Sequence, residues 1–180
     1  MTLNPQEYYN YLKTHIEFLY FIGKKEGIID STIDLPSFRN SGKDIMFQCR
    51  QKLINNISLL DEYLTHKSSL LSDDEMDILT GFYGKITSTF IILKCLTHHA
   101  VFIDTKDNKF YAVKALGEGF DALLDYFPIM CEATILPFKN KIIYDGFMQP
   151  YKITIGPNIR RSMHEDYQQA KREGKIISTL

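Results

Sequence analysis

The most reactive side chains lying close together in the chain are Cys95, His98 and His99, in Cys95-Leu96-Thr97-His98-His99. Thiolate and imidazole are common zinc ligands, and this run offers two or three such donors within five residues. The pattern is incomplete as a metal site. No second C-x2-C or H-x3-H pair occurs, and Cys49 and Cys131 stand alone. On a strand, successive side chains alternate faces, so only one of the two histidines joins Cys95 unless a turn separates them. The other chemistry open to these residues is nucleophilic. A Cys95 thiolate with His98 or His99 as base and a distant carboxylate such as Asp104 would make a small cysteine or metal-dependent hydrolase. Against both stands the usual behaviour of free cysteine, which packs as a buried apolar residue.

Charge supplies a second candidate. From Pro137 to Leu180 the chain carries eight Lys and Arg against four Asp and Glu, a segment of +4 on a body of −5. Arg160-Arg161 lies near an expected helix start, where guanidinium groups could grip a phosphate or carboxylate through bidentate contacts. Lys139, Lys141 and Tyr144 add cations and an aromatic ring to the same stretch, a composition that single-strand nucleic-acid grooves share. This segment is the expected surface for a protein or a phosphate-bearing ligand. Lys171 and Arg172, by contrast, are what the negative end of a helix favours. Ser72-Asp73-Asp74-Glu75-Met76-Asp77 crowds four carboxylates together, but it lacks the alternation and central Gly of a calcium loop. It reads instead as a capped first helical turn. Gly117-Glu118-Gly119 lacks the third glycine and the G-K-[ST] of phosphate loops, so no cofactor is expected.

The elements that position these groups follow from periodicity. Asn4-Pro5-Gln6-Glu7 supplies an N-cap, a first-turn proline and an acidic third residue. Tyr8, Tyr11, Leu12, Ile16, Leu19 and Ile22 then repeat at three or four. Residues 27–42 read as an irregular connector. A second helix is expected after Ser41 with the stripe Met46, Cys49, Leu53, Ile57, Leu60 and Leu64, and a third after Ser72. Beyond Gly84 the period shortens. Strands are expected over 86–96, 100–104, 109–116, 129–136, 141–144 and 151–155, with a turn at Asp107-Asn108. A helix is expected over 117–127, and a last polar one from Gly156-Pro157-Asn158 to about Glu173. Helices first and strands later predict an α+β protein. Its helical part would be 1–83 and its β-rich part 84–180, a small antiparallel sheet or partly open barrel with a C-terminal helix.

Composition bounds the function. With 180 residues, 44% hydrophobic and 24% charged, the chain is ordinary globular material. A net charge of −1 excludes a strong global field toward nucleic acid or anionic lipid. Three cysteines, an odd number, fit a reducing cytoplasm. Neither a basic leader nor a twenty-residue apolar run appears, so no membrane is expected. Six of the 23 aromatic residues fall in residues 8–21 and cover more than one face of the first helix, with Tyr9 and Phe18 outside its stripe. Such a helix is central to its domain or shared with a partner, so a homodimer through it is expected.

Leu136-Pro137-Phe138-Lys139-Asn140-Lys141-Ile142-Ile143-Tyr144-Asp145-Gly146, with Ile159-Arg160-Arg161-Ser162 after it, resembles the C-terminal part of a group of uncharacterised bacterial proteins. The likeness spans about the last 50 residues, the scale of a supersecondary unit. It implies a bacterial source and a recurring hairpin–helix unit, and it carries over no catalytic or binding residue. The expected function is a non-enzymatic binding or regulatory module, with the hydrolase built on Cys95, His98 and His99 as the alternative.

Overall fold

Helix α1 (Pro5–Lys25) begins at the first-turn proline, with Glu7 at its positive end and Lys24 and Lys25 at its negative end. It buries Tyr11, Thr14, His15, Phe18, Leu19 and Ile22. This face is rotated from the expected stripe: Phe18 is fully buried and Leu12 stands exposed. The polar Thr14 and His15 occupy positions that hydrophobicity alone assigns to Leu12 and Ile16. The computed structural model describes every residue, Met1–Leu180. They divide into two compact units, Gln6–Tyr83 and Met1–Pro5 with Gly84–Leu180.

In the helical unit the connector holds a short helix, α2 (Leu35–Arg39), where an irregular segment is expected. Asp34 caps it, accepting from the Ser37 amide at 2.9 Å, and Pro36 sits in its first turn. The single helix expected after Ser41 is two, α3 (Lys43–Asn55) and α4 (Ser58–Lys67). The break has a local cause. Asn56 Oδ1 accepts from the Ser58 amide at 3.2 Å and from its hydroxyl at 2.7 Å, where the helix restarts. A 3-10 turn, Ser68–Leu70, leads to α5 (Asp73–Thr80), where Ser72 and Glu75 form the expected reciprocal capping box.

The second unit has six strands: β1 (Ile86–Cys95), β2 (Ala100–Asp104), β3 (Phe110–Lys114), β4 (Ile129–Phe138), β5 (Lys141–Pro150) and β6 (Ile176–Ile177). The α+β class is as expected, but the sheet is mixed. β1 pairs antiparallel with β2 and β4, β2 with β3, and β4 with β5. The ring closes where β5 runs parallel to β3, through Val113–Ile142 and Lys114–Ile143. β6 takes the rest of that edge, pairing Ile176 with Phe110 and Ile177 with Tyr111. Parallel pairing follows from the path, because the chain crosses through β4 before returning beside β3. The interior is filled by rings. Phe90 lies 5.6 Å from Phe102, Phe102 5.2 Å from Phe120, and Phe120 5.0 Å from Tyr144.

Outside the barrel, α7 (Pro157–Arg172) packs on β1, β2 and β3. Tyr167 and Ala170 meet Leu93, Val101, Ile103 and Phe110, which explains why every residue of β2 is buried: one face lines the barrel and the other lies under α7. Two expectations fail in this unit. The helix expected over 117–127 is one turn, α6 (Phe120–Leu123), because Phe120 is its only buried side chain and Leu124 is already extended. No strand forms over 151–155. Strand β5 instead continues to Pro150, and the following residues have only one bond to β4, Tyr151 N to Met130 O at 2.8 Å. Asn108 adopts φ 58° in the predicted turn, and Gly174 φ 68° after α7. No helix is long and apolar enough to cross a membrane.

Candidate functional site

Cys95 ends β1, opposite Ala100 of β2, and the tight turn between them carries His98 exposed and His99 half-buried. The turn is closed by Leu96 N donating to His99 O at 2.8 Å, and the Met1 amine donates to Thr97 O at 3.0 Å. The Cys95 thiol is pushed up to about 11 by burial first and by the Asp121 carboxylate second, so it is a thiol at neutral pH. Asp104 lies at the far end of β2, four residues or about 13 Å along the strand. Its carboxylate accepts from Ser88 Oγ at 2.7 Å and from the Lys106 amide at 2.9 Å. It is therefore engaged away from Cys95. No group of three or more His, Cys, Asp or Glu side chains is placed so that it could hold a metal ion.

What gathers at this turn is positive charge. Lys114, from the last position of β3, places Nζ 3.2 Å from His98 O. Lys94, on β1, lies over the Tyr167 ring with Nζ 4.2 Å from its centroid. Lys171, in the last turn of α7, acts electrostatically on both Lys94 and His99. His99 is lowered from its ordinary value by burial, then by Lys114, His98, the Met1 amine and Lys171. Lys94 is lowered by burial and then by Lys171. None of Lys94, Lys114 and Lys171 makes an ion pair. The Asp121 carboxylate acts on Cys95.

The C-terminal basic residues have different settings. Arg160 Nε donates to Ile155 O at 2.7 Å, which ties the first turn of α7 to the segment before it, while Arg161 is exposed. Lys139 and Lys141 flank the β4–β5 turn, with their ammonium groups 6.0 and 5.8 Å from the Phe138 ring centroid. Tyr144 is a barrel side chain, 7% exposed, with its ring against Phe120. It contributes packing where the sequence suggested a surface aromatic. The other flank of α7 borders a cleft of about 610 Å³, floored by Ile91, Ile103, Phe110 and Met163, with Asp166 and Glu173 at its rim. Glu173 is held by Lys175 at 2.6 Å and Gln169 at 2.9 Å.

In the helical unit the acidic run is used internally. Glu75 caps α5 and pairs with Lys13 at 2.7 Å, while Asp74 accepts from Asn10 Nδ2 at 3.3 Å. Lys94 and Lys114 carry no distinguishing signal in the chain and Lys171 reads only as a helix-end charge, with 77 positions between the first and the last. Only the barrel and the crossing of α7 bring Lys114 and Lys171 to His99, and Lys171 to Lys94. No family model, no curated protein and no solved structure matches the chain.

Proposed function

We propose that the protein is a bacterial, cytoplasmic, non-enzymatic binding module that takes its ligand on the outside of the barrel. The observation that carries this reading is the state of the groups catalysis would need. Burial pushes the thiols of Cys49 and Cys131 up to about 11 and about 12, and Cys95 is held at about 11. Burial lowers His15 to about 3, so it is a neutral core residue. Asp104 is committed to Ser88 and Lys106. The β1–β2 turn, the β4–β5 turn and the flanks of α7 all carry accessible polar groups on the outside of the barrel. Metal analysis of the purified protein tests the reading against a hydrolase. Sub-stoichiometric zinc is expected, and one zinc per chain lost in His99→Ala would overturn it.

Two finer parts belong to the same reading. Tyr9, 62% exposed on α1, supports self-association through that helix, and light scattering at high concentration should then give a dimer mass. Lys139, Lys141, Arg160 and Arg161 would face a protein or phosphate-bearing partner. Retention on heparin with a salt slope that falls in Arg160→Ala/Arg161→Ala checks that part.

A further inference from the structure

We infer that the end of the barrel around the β1–β2 turn is a binding site for a phosphate group, formed by Lys94, Lys114, Lys171, His98 and His99. The inference rests on the binding-module reading and supplies the ligand chemistry for it. Its residues come from β1, the turn, β3 and α7, so their convergence is a property of the fold and not of one basic stretch. Bringing like charges together is unfavourable unless something of opposite sign joins them, and here no lysine of the set has a carboxylate partner.

Two of the charges are also held in place by side-chain contacts. Lys94 lies along the Tyr167 ring, Lys114 is fixed to the His98 carbonyl, and Lys171 is carried by the last turn of a sixteen-residue helix. Some surface lysines elsewhere do pair with acids, as in Lys13–Glu75, Lys52–Glu26, Lys109–Asp107 and Lys175–Glu173, but those are isolated pairs and not clusters of cations. Three ammonium groups exceed what one carboxylate neutralises. A phosphate monoester, close to dianionic at neutral pH, fits the charge, and ammonium groups serve it as point charges. The half-buried His99 adds a directional N–H donor beside them.

The experiment titrates inorganic phosphate into EDTA-treated protein at low salt and follows backbone amide NMR signals. Saturable shifts at Thr97–Ala100 and Lys114 are expected, with affinity at least tenfold weaker in Lys114→Ala/Lys171→Ala. Lys43→Ala/Lys67→Ala, which removes the same charge from exposed lysines of the helical unit, should bind as the parent does. Absence of saturable shifts in folded parent protein overturns the site. Equal weakening in both double variants also overturns it, because the effect is then net charge alone. A nucleoside monophosphate and a short single-stranded oligonucleotide then identify the source of the phosphate. Displacement by the first alone marks a small phosphorylated molecule, and tighter displacement by the second marks a nucleic-acid backbone. Phosphate binding that fails while zinc remains sub-stoichiometric removes this site and leaves the binding-module reading in place. One zinc per chain before EDTA removes that reading itself.

Discussion

Acidification should destabilise the helical unit through His15. The imidazole lies on the buried face of α1, between the rings of Tyr11 at 5.3 Å and Phe82 at 5.2 Å, and is 3% exposed. Burial first, and the positive Arg50 second, lower it from 6.5 to about 3. The neutral form is therefore the folded form. Below pH 6.5 the unfolded chain takes up a proton that the folded chain refuses until about pH 3, so this contribution is complete above 6.5 and is lost between those values. At pH 4.5 the loss is two pH units at about 1.4 kcal/mol each, roughly 3 kcal/mol. Against a typical stability of roughly 5–15 kcal/mol this is a large fraction. Hydrogen exchange of the α1 amides, corrected for intrinsic rates, reports the helical unit separately from the barrel. His15→Leu keeps the site apolar and removes the titration, so its stability should change less between pH 6.5 and 4.5 by about 3 kcal/mol. The comparison is of slopes, which makes it insensitive to any packing offset from the substitution. Equal slopes in the two proteins, or an imidazole titrating near 6.5 in the folded protein, would refute the reasoning.

Glu75 titrates with the opposite sign. Its pairing with Lys13 and its cap on the Ser72 amide hold its carboxyl down to about 2, so its contribution is present above 4.5 and lost as pH falls toward 2. Glu75→Gln should cost about 1–2 kcal/mol at pH 7, the ion pair being discounted because Lys13 is 40% exposed, and the difference should vanish near pH 2 in urea melts followed by circular dichroism. Iodoacetamide should alkylate Cys95 slowly at pH 7.5, with a rate still climbing toward pH 11; a plateau near pH 7 would contradict the raised thiol. Gly146 sits in β5 at φ 97°, and a Cβ there would meet Leu116 at 3.3 Å. Gly146→Ala should therefore destabilise the barrel by about 2 kcal/mol, read from exchange of the β4 and β5 amides.

Local rules carried much of the architecture. The capping box at Ser72 and Glu75, the turn at Asn108 and the proline at the start of α7 each satisfy backbone groups with residues a few positions away, so a short window of sequence suffices. The break at Asn56 was equally local but was masked by the apolar stripe, which runs through it in phase. The residues of the site were legible only in part. His98 and His99 announced themselves by type, yet their neighbours are lysines where a metal site would need more ligands. Tyr144 and Arg160 were prominent in the sequence, and packing took one into the barrel and a nearby carbonyl took the other.

By itself, then, the sequence determined the α+β class, most element starts and stops, and which side chains were chemically capable. The tertiary structure alone decided which of them meet. Ring closure depends on two residue pairs between β3 and β5, and the position of Lys171 depends on α7 crossing β1, β2 and β3. These contacts join residues dozens of positions apart through burial and strand pairing, which are energies of the whole unit. No periodicity within a segment encodes them.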